Sequence, residues 1–520
     1  MNVCIPLWNS AGTNRNVLAH IRRETMRLSI RILIAATLTL QLATAQDGFK
    51  AVQSQVVEHT LKNGLKFLIL PRREAPVVSF TTYVSIGSVN ESRGITGLAH
   101  IFEHLAFKGT TDIGTKDYSK EKAALAALDK AWSALEQERL TVNPDTAKLA
   151  SLTAAFGKAQ EAAMQYSDGD EFSRVIEQQG GVGLNAGTSM DETTYFYSLP
   201  SNKLELWFSL ESARFYDPVI RDFYKEKDVV MEERRMRVES NPIGKMIEEV
   251  IAVAFKSHPY KDNTIGHMAD LKGITRQEAY EFFKKYYVPS NMTIAIVGDV
   301  DVNEVKRLAE RYFARIPAGR KADPVRTTEP PQNGERRVVL REQSQPVIVL
   351  GYKKGGIHDA DDAVYDVISD LMSSGRTSRL YTSLVRDKKL SISAGGFGGF
   401  PGQKYPNLFL FYAFPAQGRS NDTCLAAIEH EIERLKTEQV SEEDLKAIKT
   451  RARAGLIRSL GSNQGLANQL STYEGLYGNW RELFNSLDKL NAVTAADIQR
   501  VATSVFVNNN RSIGTIEPVN

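Results

Sequence analysis

The sequence predicts an α+β protein built from two homologous domains, each a sheet packed against helices. Three observations carry this reading. Short apolar runs bounded by turn residues read as strands, Ala- and Leu-rich segments between them read as helices, and the same element order recurs after a proline-rich break. At 520 residues and 42% apolar content the chain has ample material for two cores.

Taken in order, the first 45 residues read as a signal peptide. Arg22, Arg23, Arg27 and Arg31 precede the apolar run from Ile32 to Leu40, and Ala43-Thr44-Ala45 supplies a small-x-small cleavage site. The run is too short to span a bilayer, so no stable membrane span is expected and the mature chain is placed in the periplasm or outside the cell. Met26 is an alternative start, since residues 26–45 would make a complete signal peptide alone.

A first domain follows over 46–316. Val56 to Val84 reads as strand, turn, strand, with an Asn-Gly turn signal at Asn63-Gly64, and a helix is expected over 98–107. Tyr118 to Arg139 and Thr146 to Gln165, separated by Asn143-Pro144-Asp145, read as an antiparallel helical hairpin within an insertion over 117–168. Its Ala-rich faces indicate an arm packed on itself: a lid, a partner-docking arm or an inert insertion. Helices over 204–216, 223–239 and 277–287 and a buried strand over 292–297 complete the domain.

Pro317, Pro324, Pro330 and Pro331 mark 317–334 as a linker. In the second domain, 335–520, Gln345-Pro346-Val347-Ile348-Val349 echoes Ala75-Pro76-Val77-Val78-Ser79. Helices over 363–373, 442–458 and 492–507 and a strand over 512–516 repeat the earlier order. Gly395 to Phe400 has no following Lys-Ser/Thr and reads as a flexible loop rather than a phosphate cradle.

Sixty-five basic residues against 62 acidic ones give a net charge of +3, which offers nothing to nucleic acid or an acidic membrane. Cys4 falls in the removable segment, leaving Cys424 without an intrachain partner and no thiolate cluster for a metal.

The chemistry concentrates in His100-Ile101-Phe102-Glu103-His104. On a helix, positions four apart lie about 40° from each other, so both imidazoles face one ion with Glu103 beside them. Two neutral nitrogen ligands, a place for water and a base are what a catalytic zinc needs, and H-x-x-E-H is the inverzincin pattern. Leu98, Ala99, Leu105 and Phe107 surround it with apolar residues, a costly setting for unpaired polar groups. A third ligand has to come from elsewhere. Glu226 and Glu233 stand two helical turns apart on one face, so one can ligate while the other supports it. Carrying the offset between Pro76 and Pro346 forward puts Asp370, Ser373 and Ser374 at the places of His100, Glu103 and His104, so one zinc per chain is expected. His258 and His267 share no helical face and read as structural.

The stretch Gly97 to Thr110, with Gly180-Gly181, Leu184-Asn185-Ala186, Thr193-Thr194-Tyr195, the 226–233 helix, Gly266, Leu271, Thr275 and Tyr287-Val288 to Asp299, resembles the pitrilysin/insulinase family of zinc metallopeptidases, in particular its mitochondrial-processing-peptidase-like bacterial members. The resemblance spans roughly 55–515. It implies the LuxS/processing-peptidase-like metallohydrolase fold, in which each domain is a mainly antiparallel sheet against helices. It implies a zinc endopeptidase for peptides or unfolded segments, in which Glu103 activates a zinc-bound water, His100, His104 and Glu233 ligate, and Glu226 supports them. Asn185 and Ala186 match the edge strand that pairs with substrate backbone.

In this family an Arg and a Tyr seven residues later, in the metal-less half, assist the reaction. Here Arg386 fits the Arg, whereas Ser393 stands at the Tyr position, or Ile392 if one residue is missing. That departure implies a heterodimer with a zinc-less homologue carrying the Arg/Tyr pair, or else a homodimer. Two other functions fit the same fold: a non-catalytic assembly subunit, which the intact ligand set argues against, and a maturation peptidase dedicated to one peptide.

Overall fold

The computed structural model describes residues 50–519; the expected signal segment lies outside them. In the N-terminal unit, residues 50–55 form a short helix. The remainder, from Val57 onward, is one compact unit containing two sheets.

The first sheet comprises β1 (Val57–Thr60), β2 (Lys66–Pro71), β3 (Val77–Val84), β4 (Val182–Thr188), β5 (Thr193–Pro200) and β6 (Met292–Gly298), in the order β1-β2-β6-β3-β5-β4. The second comprises β7 (Arg336–Glu342), β8 (Val347–Lys354), β9 (Ser391–Phe400), β10 (Asn407–Pro415) and β11 (Arg511–Pro518), in the order β7-β11-β8-β10-β9. Only β2–β6 and β7–β11 are parallel. Without β1 the two sheets have the same order and the same strand directions, and β3 and β8 begin at the two valines that follow Pro76 and Pro346. The predicted duplication is therefore visible as topology. Residues 317–334 carry neither helix nor strand.

Among the described residues ten helices lie between β1 and the 317–334 segment: α1 (Leu98–Leu105), α2 (Tyr118–Arg139), α3 (Thr146–Met164), α4 (Glu171–Gln178), α5 (Leu204–Tyr216), α6 (Phe223–Arg234), α7 (Pro242–Ala254), α8 (Met268–Gly273), α9 (Arg276–Tyr286) and α10 (Val302–Phe313). Six follow in the second half: α11 (Asp362–Ser373), α12 (Asn421–Thr437), α13 (Glu442–Ser459), α14 (Asn463–Tyr477), α15 (Glu482–Ala492) and α16 (Ala495–Val505). Among the described residues no helix is long and apolar enough to cross a membrane. Cys424 is buried and free.

The halves hold together by exchanging helices. Met246, Val250 and Ile251 of α7 share a core with Val347, Val349, Leu408, Leu410 and Ile516 of the second sheet. Reciprocally, α14 covers β3 and β6, where Asn468 accepts from Thr81 (2.6 Å) and Glu474 pairs with Lys66 (2.5 Å). Gly475 makes this approach possible, because a Cβ there would lie 1.9 Å from the Tyr83 ring.

Two expectations change. The 118–164 hairpin is not an arm packed only on itself. Leu125, Leu128, Trp132 and Leu135 form a buried stripe at helical spacing along α2, and Trp132 stacks near Tyr224 of α6 (4.8 Å) as well as Phe156 of α3 (5.2 Å). Asp129 pairs with Arg276 of α9 (2.5 Å), and Glu121 with buried Arg221 (2.7 Å). Alanine content hid this stripe, since the large side chains are few. The Gly395-to-Phe400 segment is strand, not loop: it pairs with β10, and Gly395 and Gly396 admit the rings of Tyr412 and Phe411 against the backbone.

Candidate metal centre

Helix α1 is short, and three polar anchors fix its start. Glu91 accepts from the N–H groups of Gly97 (2.8 Å) and Ala99 (2.7 Å), supplying the cap that Gly97, with a left-handed φ of 90°, cannot. Asp270 accepts from the Thr96 hydroxyl (2.7 Å), and the Thr96 oxygen accepts from the His267 N–H (2.9 Å). Gly266 (φ +79°) lies so close to Thr96 and Gly97 that a Cβ would meet the Thr96 carbonyl at 2.2 Å. Its own carbonyl accepts from Arg234 (2.6 Å), the neighbour of Glu233. The two helices carrying the candidate ligands are thus tied through one glycine.

With α1 so placed, the rings of His100 and His104 stand 5.1 Å apart and perpendicular. Glu233 Oε2 from α6 lies 3.4 Å from His100 Nε2 and 4.0 Å from His104 Nε2. Ligand atoms of a tetrahedral zinc at about 2.0–2.1 Å would be about 3.3 Å apart, so this set fits such an ion with modest closure. Among the described residues it is the one group of three or more His, Cys, Asp or Glu residues whose donor atoms lie within 4.8 Å of one another. His258 and His267 stay apart from it. His258 accepts from the Tyr260 N–H (3.2 Å), and His267 pairs with Asp262 (3.2 Å).

The electrostatics match ligation. Burial, with the charges of His104 and Arg237, lowers the His100 pKa to about 4, leaving a neutral imidazole. Its Nδ1 is buried without a hydrogen-bond partner, so no polar contact on that side orients the ring. For His104 burial acts downward, but the hydrogen bond and charge of Glu226 reverse it and raise the pKa. The partner assigns the tautomer: Nδ1–H donates to Glu226 Oε2 (3.2 Å), which leaves the Nε2 lone pair facing Glu233. Burial would raise Glu226; hydrogen bonds from His104 and Lys108 (Nζ–Oε1 2.9 Å) win and hold it at about 2. Burial raises the Glu103 carboxyl above the usual range, against a hydrogen bond from Thr188.

A cleft of about 340 Å³ opens on Glu103 and His104 and is walled by Leu184, Asn185 and Ala186. Those three belong to β4, the free edge of the first sheet. The Ala186 N–H donates to the Asn185 side-chain oxygen (2.9 Å). Arg386 is not in this cleft: it is exposed and pairs with Asp387 (2.7 Å). Ser393 is exposed on β9, the edge strand of the second sheet. In the second half, Arg451 of α13 donates to Asp370 (Nε–Oδ1 3.0 Å), and Ser373 donates to the Gly396 carbonyl (2.6 Å). An internal ion pair thus stands at the place corresponding to the first half's ligands.

Three participants escaped the sequence reading. Lys108 holds Glu226, Thr188 touches Glu103, and Arg237 grips the second oxygen of Glu233 (2.6 Å). Arg237 was findable from its i,i+4 spacing to Glu233; the other two are fixed only by tertiary packing.

Replacing Glu226 by Gln removes the charge that orients His104. Zinc affinity should fall about 10- to 100-fold while the melting temperature holds; an unchanged affinity in a competition assay with a chelator would show that His104 needs no such support.

These features define a metallopeptidase class. The model described as insulinase, peptidase family M16, matches residues 67–158 and 159–267, and that described as the M16 inactive domain matches 273–452; the chain belongs to peptidase family M16. It is 26% identical over 486 residues to the zinc protease PqqE of Helicobacter pylori, covering 90% of this chain and 94% of that protein. A crystal structure of a protease from Helicobacter pylori superposes with a TM-score of 0.74 at 26% identity, covering 89% of this chain and 99% of that one. A probable mitochondrial-processing peptidase subunit beta of Arabidopsis thaliana is 22% identical over 496 residues, 92% of this chain and 81% of that protein.

Proposed function

We propose that the chain is an exported zinc-dependent endopeptidase that hydrolyses peptides or unfolded protein segments. The observation that carries this is convergence: His100, His104 and Glu233 close on one point, and the cleft beside them joins Glu103 to an unpaired sheet edge. When bound, zinc supplies Lewis-acid polarisation and lowers the pKa of water in the site. An extended peptide adds to β4 by backbone pairing, displacing the Asn185 side chain from the Ala186 N–H. Backbone pairing of this kind favours extended chains over particular side chains. Glu103 takes the proton of the attacking water on its carboxylate and returns it to the leaving nitrogen as the C–N bond breaks. A pKa raised by burial suits both directions of transfer. Export rests on the basic and apolar pattern of the first 45 residues.

The metal-less half lacks a Tyr at the position of Ser393, and Arg386 is engaged by Asp387. This supports a working unit completed by a second chain, either a zinc-less homologue bearing an Arg/Tyr pair or a second copy.

A peptide-library digest tests the reading. The zinc-loaded chain alone should cleave many extended peptides slowly, lose cleavage to a chelator, regain it with zinc, and accelerate when the homologue is added. Cleavage that survives complete zinc removal would refute the metallopeptidase assignment; full rate from the chain alone would remove the heterodimer. Cleavage of a single sequence would mark a dedicated maturation enzyme instead.

A further inference from the structure

The metal-less half holds a cavity of about 870 Å³, larger than the cleft at the metal centre, between the start of α11 and helices α14 to α16. Its lining carries six carboxylates and only two cationic side chains. Both cations are already engaged: Arg500 with Asp361 (2.6 Å) and Lys489 with Glu482 (2.6 Å). Asp362 faces Lys354 (3.4 Å). Asp366 is different. It opens onto the cavity and makes no hydrogen bond or ion pair to any described residue. Its side chain is exposed to the solvent of the cavity, while the surrounding protein and the nearby charge of Asp362 raise its carboxyl to about 7, despite Lys354.

The wall beside Asp366 is aromatic. Tyr473 and Tyr477 stack in parallel (5.0 Å, 13°), and the His358 ring meets Tyr477 edge-on (5.9 Å). Electrostatic coupling of both tyrosines to Asp362 and Asp366 places these rings and carboxylates in one neighbourhood. Tyr477 is backed by Ile357, Leu476 and Tyr83, so the wall is anchored to the first sheet.

A solvent-exposed carboxylate with no protein partner, set beside π-faces, is a receptor for a cation, since the carboxylate supplies charge and the rings attract it through their quadrupoles. The cation is not a metal ion. No set of these carboxylates brings three donor atoms within coordinating range of one another among the described residues. The volume also far exceeds what a bare ion fills, and lies within the range of small-molecule sites. We infer that this cavity binds an organic cation, an ammonium or guanidinium group, held between Asp366 and the Tyr473–Tyr477 pair. Such a group is offered by a basic peptide side chain and by a free polyamine.

Calorimetric titration of the full chain distinguishes these sources. The probes are N-acetyl-arginine amide, its neutral isostere N-acetyl-citrulline amide, and spermidine. The arginine derivative or spermidine should bind, and citrulline should bind at least about tenfold more weakly, because it lacks the charge. Asp366→Asn should weaken cation binding about tenfold or more without lowering the melting temperature, since the Asp366 side chain is exposed and anchors no other protein group. Tyr477→Leu should weaken it severalfold. Binding of the arginine derivative over spermidine assigns the site to peptide side chains; the reverse assigns it to free amines. Citrulline binding as well as arginine, wild-type affinity in Asp366→Asn, or no binding of either cation at millimolar concentration would overturn the inference.

Discussion

Glu103→Gln should keep its zinc and lose turnover by about 10²- to 10⁴-fold, the usual contribution of a positioned acid–base group. The separation of effects follows from where the residue sits. Glu103 lines the cleft and touches Thr188, whereas the ligand geometry is set by His100, His104 and Glu233, none of which depends on it. The amide preserves the shape and the hydrogen bond with Thr188 but cannot accept a proton. Zinc content by mass spectrometry and peptide hydrolysis rate, taken on the same sample, check it. Retained turnover would strip Glu103 of its role; lost zinc would mean that it belongs to the ligand set.

The second large effect falls on a residue with no side chain. Gly266→Ala should destabilise the protein by at least about 3 kcal/mol and weaken zinc binding with it. A left-handed backbone costs a non-glycine residue about 1–2 kcal/mol. The added methyl would in addition meet the Thr96 carbonyl at 2.2 Å and the Gly97 nitrogen at 2.5 Å, both backbone atoms that cannot swing away. Relief requires the start of α1 to move from Glu91 and Asp270, or the Gly266 carbonyl to release Arg234. Either movement separates His100 from Glu233. Denaturant unfolding with zinc competition measures both; an unchanged midpoint would show that the packing here is looser than described.

The two predictions mark the difference between chemistry that is local in sequence and chemistry that is not. His100, Glu103 and His104 were legible as a set because one helical turn brings them together; two turns on one face made Glu226 and Glu233 candidates, and only the family resemblance told ligand from support. The duplication was legible from Pro76 and Pro346, and the strand order that the two sheets share once β1 is set aside bears it out. What the sequence hid depends on distant partners. Lys108 becomes part of the site only because α6 passes over the end of α1. The helix exchange of α7 and α14 joins segments far apart in sequence, nearly 400 residues for Thr81 with Asn468, and no periodicity records it. The glycine run at 395–399 looked like a loop by composition, yet β10 offers aromatic rings that only glycines can accept at that distance. The α2 stripe of Leu125, Leu128, Trp132 and Leu135 was diluted by alanine, and its docking on α6 runs through Trp132, which meets Tyr224 and Lys227.

The central claim is that one zinc ion is gripped by two imidazoles of α1 and the carboxylate of α6. X-ray absorption at the zinc edge, with metal content measured on wild type, His100→Ala and Glu233→Gln, tests it most directly. The account predicts one zinc per wild-type chain with two imidazole nitrogens and oxygen in its first coordination sphere, and substoichiometric metal in both variants. Full occupancy in His100→Ala, or a spectrum without imidazole scattering, would contradict it.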